Sequence, residues 1–149
     1  MPPTIEYVTY IACTPERLWA ALTNNEDLKK YWGDIQSTWT PNSEVKELSP
    51  KGEKYWRGDV VQVEPNKLLA YTFEAGSEEP PTTVTYSLQP PKAEIKDGQS
   101  VVCLKFTQTG FNEGSASYPE FAQAWPEILS TLKTYLETGT PLPFAWEKP

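Results

Sequence analysis

Between Thr4 and Cys13 the chain sets Ile5, Tyr7, Thr9 and Ile11 against Glu6, Val8, Tyr10 and Ala12. A period of two in a run rich in β-branched and aromatic residues predicts a strand. The pattern breaks at Thr14-Pro15-Glu16, which combines an N-cap, a first-turn proline and an acid at the positive helix end. A helix is expected from there to about Thr23, with Leu18, Trp19 and Leu22 as its apolar stripe. Asn25 can cap a second short helix with Glu26 and Asp27 in its first turn and Lys29 and Lys30 in its last, and Gly33 stops it. Helices this short bury little, yet these carry Trp19 and Trp32. A Trp offers roughly 200 Å² of apolar surface, about 5 kcal/mol if buried, so a large surface elsewhere in the chain must receive them.

From Asp34 to Phe111 short strand patterns alternate with turn signals: TPNS at 40, SPKGE at 49, EPNK at 64, GSEEPP at 76 and PPKAEIKDGQ at 90. The clearest strands are Tyr55 to Val63, Lys67 to Phe73, Thr82 to Leu88 and Ser100 to Gln108, with weaker ones at Ile35 to Trp39 and Glu44 to Leu48. A meander is the natural topology.

The period then changes. Phe121, Trp125, Ile128, Leu132 and Tyr135, widened by Ala122, Leu129 and Leu136, form the three-four repeat of an amphipathic helix. Gly139 supplies its C-cap, and Pro141 and Pro143 prevent continuation. Pro126 lies inside the pattern, so either the helix bends after Trp125 or its long part begins there. The tail PLPFAWEKP is expected to pack back through Phe144 and Trp146. The layout is strand, two short helices, six-strand meander and long helix. That is an α+β class in which one helix covers one face of a curved antiparallel sheet.

Composition narrows the functions. The 149 residues fit one domain, and six Trp, eight Tyr and five Phe demand a core or a cavity. A formal charge of -7 with only Arg17 and Arg57 as arginines argues against nucleic acid and against an anionic membrane as partners. The chain has no apolar run of transmembrane length, and MPPTIEYV lacks the layout of a signal peptide, so no membrane insertion and a cytoplasmic location are expected. With no His and two distant cysteines, Cys13 and Cys103, neither a Cys and His zinc pattern nor a His-based nucleophilic triad can form. No metal or cofactor is expected. No phosphate-cradling glycine loop occurs. Glutamates 44, 47, 53 and 64 read as scattered surface carboxylates, with no spacing that makes two of them converge.

The stretch IACTPERLWAALTNNEDLKKYWG resembles the opening of the family of activators of heat-shock protein 90 ATPase homologues, part of the START and birch-pollen-allergen-like superfamily. WPEILSTLKTYLETGTPLP resembles that family's closing helix, and RGDVVQVEPNKLLAYTF and LKFTQTGF its middle strands, so the resemblance covers nearly the whole chain. It implies a helix-grip fold, a bent seven-stranded antiparallel sheet wrapped around the C-terminal helix with a cavity between them. It also implies activities ranging from lipid or polyketide binding and polyketide cyclisation to stimulation of a chaperone ATPase. Gln108 stands before TGF where the family often has a His, which weighs against a carried-over catalytic base. In the implied fold the first and last strands are neighbours, which brings Cys13 near Cys103, and both are expected to stay thiols.

Within that fold Trp32, Trp39, Trp56, Tyr71, Phe73, Tyr86, Phe106, Trp125 and Leu129 are the candidates for the face between sheet and helix. An aromatic-rich face there leaves gaps of the kind that become apolar ligand pockets. Parity at Tyr55-Trp56-Arg57 is open, since only one of Trp56 and Arg57 can point inward. An inward Arg57 could hold an anionic or carbonyl-bearing ligand, and an outward one is solvated. Gly58 marks a bulge or bend. Three functions follow: a binding module for a hydrophobic small molecule, which is preferred; a modulator with a chaperone partner; and a cyclase-like enzyme.

Overall fold

The computed structural model describes residues 2–74 and 79–144. The elements are β1 (Ile5–Ile11), α1 (Pro15–Thr23), α2 (Asn25–Tyr31), β2 (Asp34–Gln36), β3 (Glu44–Leu48), β4 (Lys54–Glu64), β5 (Leu68–Phe73), β6 (Thr82–Gln89), β7 (Val102–Thr109) and α3 (Tyr118–Thr138). The strands form one antiparallel sheet in the order β1-β7-β6-β5-β4-β3-β2, so β2 to β7 meander and β1 adds to β7 at one edge. This is the helix-grip arrangement, with α1 and α2 inserted after the first strand.

Register lines up the inward side chains in rows. Ile5, Gln108, Val84, Tyr71 and Val60 make one row, Tyr7, Phe106, Tyr86 and Leu69 the next, and Ile35, Glu47 and Trp56 a third. The period-two pattern therefore turns into a continuous apolar face that α3 covers with Trp125, Leu129 and Leu132. At Gly58 the missing side chain admits the neighbouring strand: a Cβ built there would stand 1.7 Å from Thr72 O. A register shift between Val60 and Gln62 follows in the same strand.

Side chains of α3 cover the open edge of β1. Tyr118 donates its hydroxyl to Thr4 O (3.3 Å), Lys133 donates to Tyr10 O (2.8 Å), and Ala12 N–H donates to Glu137 Oε2 (2.8 Å). An edge satisfied in this way offers fewer free backbone groups for stray pairing. The three helices meet at a polar knot in which Arg17 donates twice to Asp27 (3.0 and 3.1 Å) and the Tyr135 hydroxyl donates to the same carboxylate at 2.5 Å. Burial alone would raise the Asp27 carboxyl, but the bonds from Arg17 and Tyr135 outweigh it and hold it below its ordinary value.

Several local expectations change. The cap of α2 is Asn24, not Asn25. Asn24 keeps extended backbone and accepts from the N–H groups of Glu26 and Asp27, whereas Asn25 is already helical. The helix α3 neither starts at Pro126 nor stops there: it begins at Tyr118 and runs through the proline, whose missing N–H costs one intrahelical bond. Gly139 ends it in the left-handed conformation, donating to Tyr135 O at 2.8 Å. β2 is shorter than expected, and Trp39 lies beyond it. Cys13 and Cys103 are free thiols, with Cys103 opposite Tyr10 on β1. Phe144 keeps 45% of its surface in solvent, and Trp146 lies outside the described residues. No helix among the described residues is long and apolar enough to cross a membrane.

Candidate functional site

Eight of the ten candidate residues are rings, and the structure joins them into one connected cluster. Trp56, on the inner face of β4, stacks on Phe73 (centroids 4.2 Å apart), Trp32 (5.5 Å) and Tyr71 (5.8 Å). Trp125 of α3 meets Phe106 at 4.4 Å and Trp32 edge-on at 5.1 Å, which clamps helix to sheet. Tyr86 links Phe106 to Tyr71 (5.3 and 5.9 Å), and Trp39 closes the far end on Tyr71 at 6.2 Å. These spacings are those of offset-stacked and edge-to-face pairs. Leu129, one turn after Trp125, is buried in the same core. Trp32 and Trp39 are half-buried, as is Phe121, which stands edge-on to Phe73 at 5.2 Å and was read from the sequence only as part of the helix stripe.

Arg57 is not with them. β4 turns Trp56 inward, so Arg57 lies on the opposite face, where it donates to Glu44 Oε2 (2.9 Å), Glu74 Oε2 (2.6 Å) and Asp59 Oδ1 (2.8 Å). Glu44 also takes Lys54 at 3.0 Å, and the bonds from Arg57 and Lys54 bring its carboxyl down to about 2. A guanidinium matched by three carboxylates in solvent is a surface network, and the ligand-holding alternative for Arg57 is corrected accordingly.

The cluster contains polar groups, each placed by register. Gln108 on β7 is fully buried and committed at both ends: Trp125 Nε1–H donates to its Oε1 at 2.8 Å and its Nε2 donates to Thr82 Oγ1 at 2.9 Å. The hydroxyls of Tyr71 and Tyr86 bond each other at 2.9 Å, and burial pushes both phenols well above their ordinary value. Glu47 is 7% exposed and accepts the Trp56 indole N–H at 3.0 Å. The expectation that Glu47 is a surface carboxylate is thereby corrected. Its signal was available in the sequence, because Glu47 shares strand parity with Val45. Among the described residues no three His, Cys, Asp or Glu side chains gather as a metal site.

Trp39 differs from its neighbours. Its backbone is left-handed (φ 57°), which costs a bulky residue about 1–2 kcal/mol. Its indole Nε1 is buried with no acceptor among the described residues, at a further cost of about 1–3 kcal/mol.

The two larger of the surface depressions described share no residue with this cluster. An open groove of about 560 Å³ lies between the end of β1 and the β6–β7 connection, lined by Tyr10, Ala12, Pro91, Ile95 and Val101 among others. A polar cleft of about 400 Å³ runs along the β2–β3 loop, with Ser37, Thr38 and Ser43 on its wall. The larger groove borders a mostly exposed connection without regular structure, whereas the ring cluster has buried polar groups fixed by the sheet.

A sheet wrapped on one C-terminal helix, with two short helices after the first strand, is a family arrangement, and the chain matches one family directly. Residues 12–137 match the family described as activator of Hsp90 ATPase homolog 1-like protein. The chain belongs to this family. Among solved structures, the family member is similar to protein MLL2253 from Mesorhizobium loti (24% identity, TM-score 0.76, covering 90% of this chain and 96% of that one). It is also similar to the Aha1 dimer from Colwellia psychrerythraea (25% identity, TM-score 0.72, covering 92% and 98%). CalU16 from Micromonospora echinospora shares the fold at 17% identity, with a TM-score of 0.72 and coverage of 94% and 77%. No curated protein matches the chain in sequence.

Proposed function

We propose that this member of the activator of Hsp90 ATPase homolog 1-like family binds an apolar small molecule between the sheet and α3. The observation that carries the reading is the connected ring cluster with a few fixed polar groups among its members. Large aromatic walls with sparse, oriented polar atoms are the usual chemistry of ligand sites. The half-buried rings Trp32, Trp39 and Phe121 are its contact with solvent, so a ligand would enter past them. Catalysis draws less support, because the most buried polar side chain of the cluster, Gln108, is held at both ends by Trp125 and Thr82.

Native mass spectrometry of freshly purified protein, set against its denatured mass, tests the reading together with titration by apolar naphthalene probes. A bound mass of roughly a few hundred daltons lost on denaturation, or saturable probe binding that perturbs Trp32, is the expected result. A clean apo mass with no probe binding, alongside stimulation of a chaperone ATPase, would move the function to the protein's outer surface.

A further inference from the structure

The loop Ser37–Ser43 is pinned tightly around Trp39. Asn42 N–H donates to Val60 O (2.7 Å), Val60 N–H donates to Ser43 O (2.9 Å), and Trp39 N–H donates to Ser37 Oγ (2.9 Å). Ser43 Oγ donates to Thr40 O at 2.6 Å. With both flanks fixed, the left-handed backbone at Trp39 is imposed by the loop, and it lays the indole against Tyr71. The fold provides acceptors for the two buried indoles of this wall, Glu47 for Trp56 and Gln108 for Trp125. Among the described residues it provides none for half-buried Trp39, whose Nε1 atom is itself buried. A strained backbone and an unmet donor at one residue are two separate costs borne at one point of the wall. Backbone strain of this kind clusters at ligand clamps and active sites, and a buried donor without an acceptor calls for a partner.

We propose that Trp39 Nε1–H is the hydrogen-bond donor to the bound molecule, so that the ligand is an apolar, flat compound carrying an uncharged carbonyl oxygen. The inference rests on the ligand-binding reading above and adds the chemistry of recognition to it. Trp56 and Tyr71 stack on each other within 10° of parallel, and the flat wall they form together favours a flat ligand laid along it. An anionic head group would find no counter-charge on the named rings, because Arg57 is turned to the opposite face and held there by Glu44, Asp59 and Glu74. A hydrocarbon of the same shape would leave the donor unmet, and a site built around a donor discriminates against ligands that lack the acceptor.

The test uses two probes of nearly identical shape, 2-acetylnaphthalene and 2-isopropenylnaphthalene, which differ by a carbonyl oxygen against a methylene. Both are titrated into tryptophan-¹⁵N-labelled protein, with the Trp39 indole assigned through its contacts to the Tyr71 ring. The expected result is that both bind, the ketone about fivefold to tenfold more tightly. The Trp39 indole proton should move downfield with the ketone only, and Trp39→Phe should bind the two probes equally. Equal affinities in the wild type, a preference retained in Trp39→Phe, or an unmoved indole proton at saturation overturns the inference and leaves the pocket reading standing. Failure of both probes to bind overturns the pocket and the inference together. The indole shift is read in the wild type, so it decides the matter even if Trp39→Phe does not fold.

Discussion

The buried chain Trp125–Gln108–Thr82 permits a quantitative test of how the helix is fixed on the sheet. Gln108→Leu keeps the approximate volume but removes the acceptor of Trp125 Nε1, 2.8 Å away, and the donor to Thr82 Oγ1, 2.9 Å away. Thr82 retains its own bond to Phe73 O, so the main loss is one orphaned indole N–H in a site with no water access. Such a group costs about 1–3 kcal/mol, and we expect about 2. For a chain of this length that is a fall in Tm of about 4–8 °C. Trp125→Phe alone should cost a similar amount, because it strands Gln108 Oε1 and thins the contact with Trp32 and Phe106. The double variant leaves neither group stranded, so its loss should fall short of the sum of the singles by about 1–3 kcal/mol. Urea unfolding followed by far-ultraviolet circular dichroism measures all four proteins without relying on Trp fluorescence. Costs that add within about 0.5 kcal/mol would refute the proposed chain.

Three further outcomes are expected. Gly58→Ala should abolish folding or cost more than about 3 kcal/mol in urea unfolding, because its Cβ would meet Thr72 backbone atoms at 1.7 and 2.5 Å; a variant near wild-type stability would contradict the close approach of β4 and β5. The Asp27 carboxyl is held below its ordinary value in the folded state, so its contribution is present above that value, near pH 4, and is lost as pH falls through the folded one; Asp27→Asn should be less stable at pH 7 and lose less on acidification to pH 3, and parallel pH curves would refute the knot's role. Arg57→Gln should lower stability by no more than about 1 kcal/mol and leave probe affinity unchanged, as its partners are solvent-facing carboxylates; a tenfold loss of probe binding would return Arg57 to the site.

Local chemistry was enough to write down most of the fold. Alternation at Ile5 to Ile11, the Thr14-Pro15 start of α1, the three-four repeat ending at Gly139 and the turn signals between strands each act within a few residues, so they are readable one segment at a time. The aromatic residues of the candidate site were legible for the same reason: strand parity and helix spacing sort side chains into faces. Parity cannot say which face is inside, however. Trp56 and Arg57 are adjacent, and only the pairing of β3 with β4 opposite α3 sends the indole inward and the guanidinium to Glu44, Asp59 and Glu74. That pairing also carries Glu47 into the core beside Trp56, against the ordinary behaviour of a glutamate. Asn24 outcompetes Asn25 as a cap because the entry angle from α1 leaves it extended, and α3 runs through Pro126 because tertiary packing of Trp125 and Phe121 outweighs one lost helical bond. The left-handed Trp39 is decided furthest from its own sequence, by hydrogen bonds that tie its loop to Val60 across the sheet. The chain's own residues determined which elements form and which residues are apolar. The contacts between elements distant in sequence decided which side of each element faces inward, because that choice depends on the summed packing of the sheet against a helix that begins only at Tyr118.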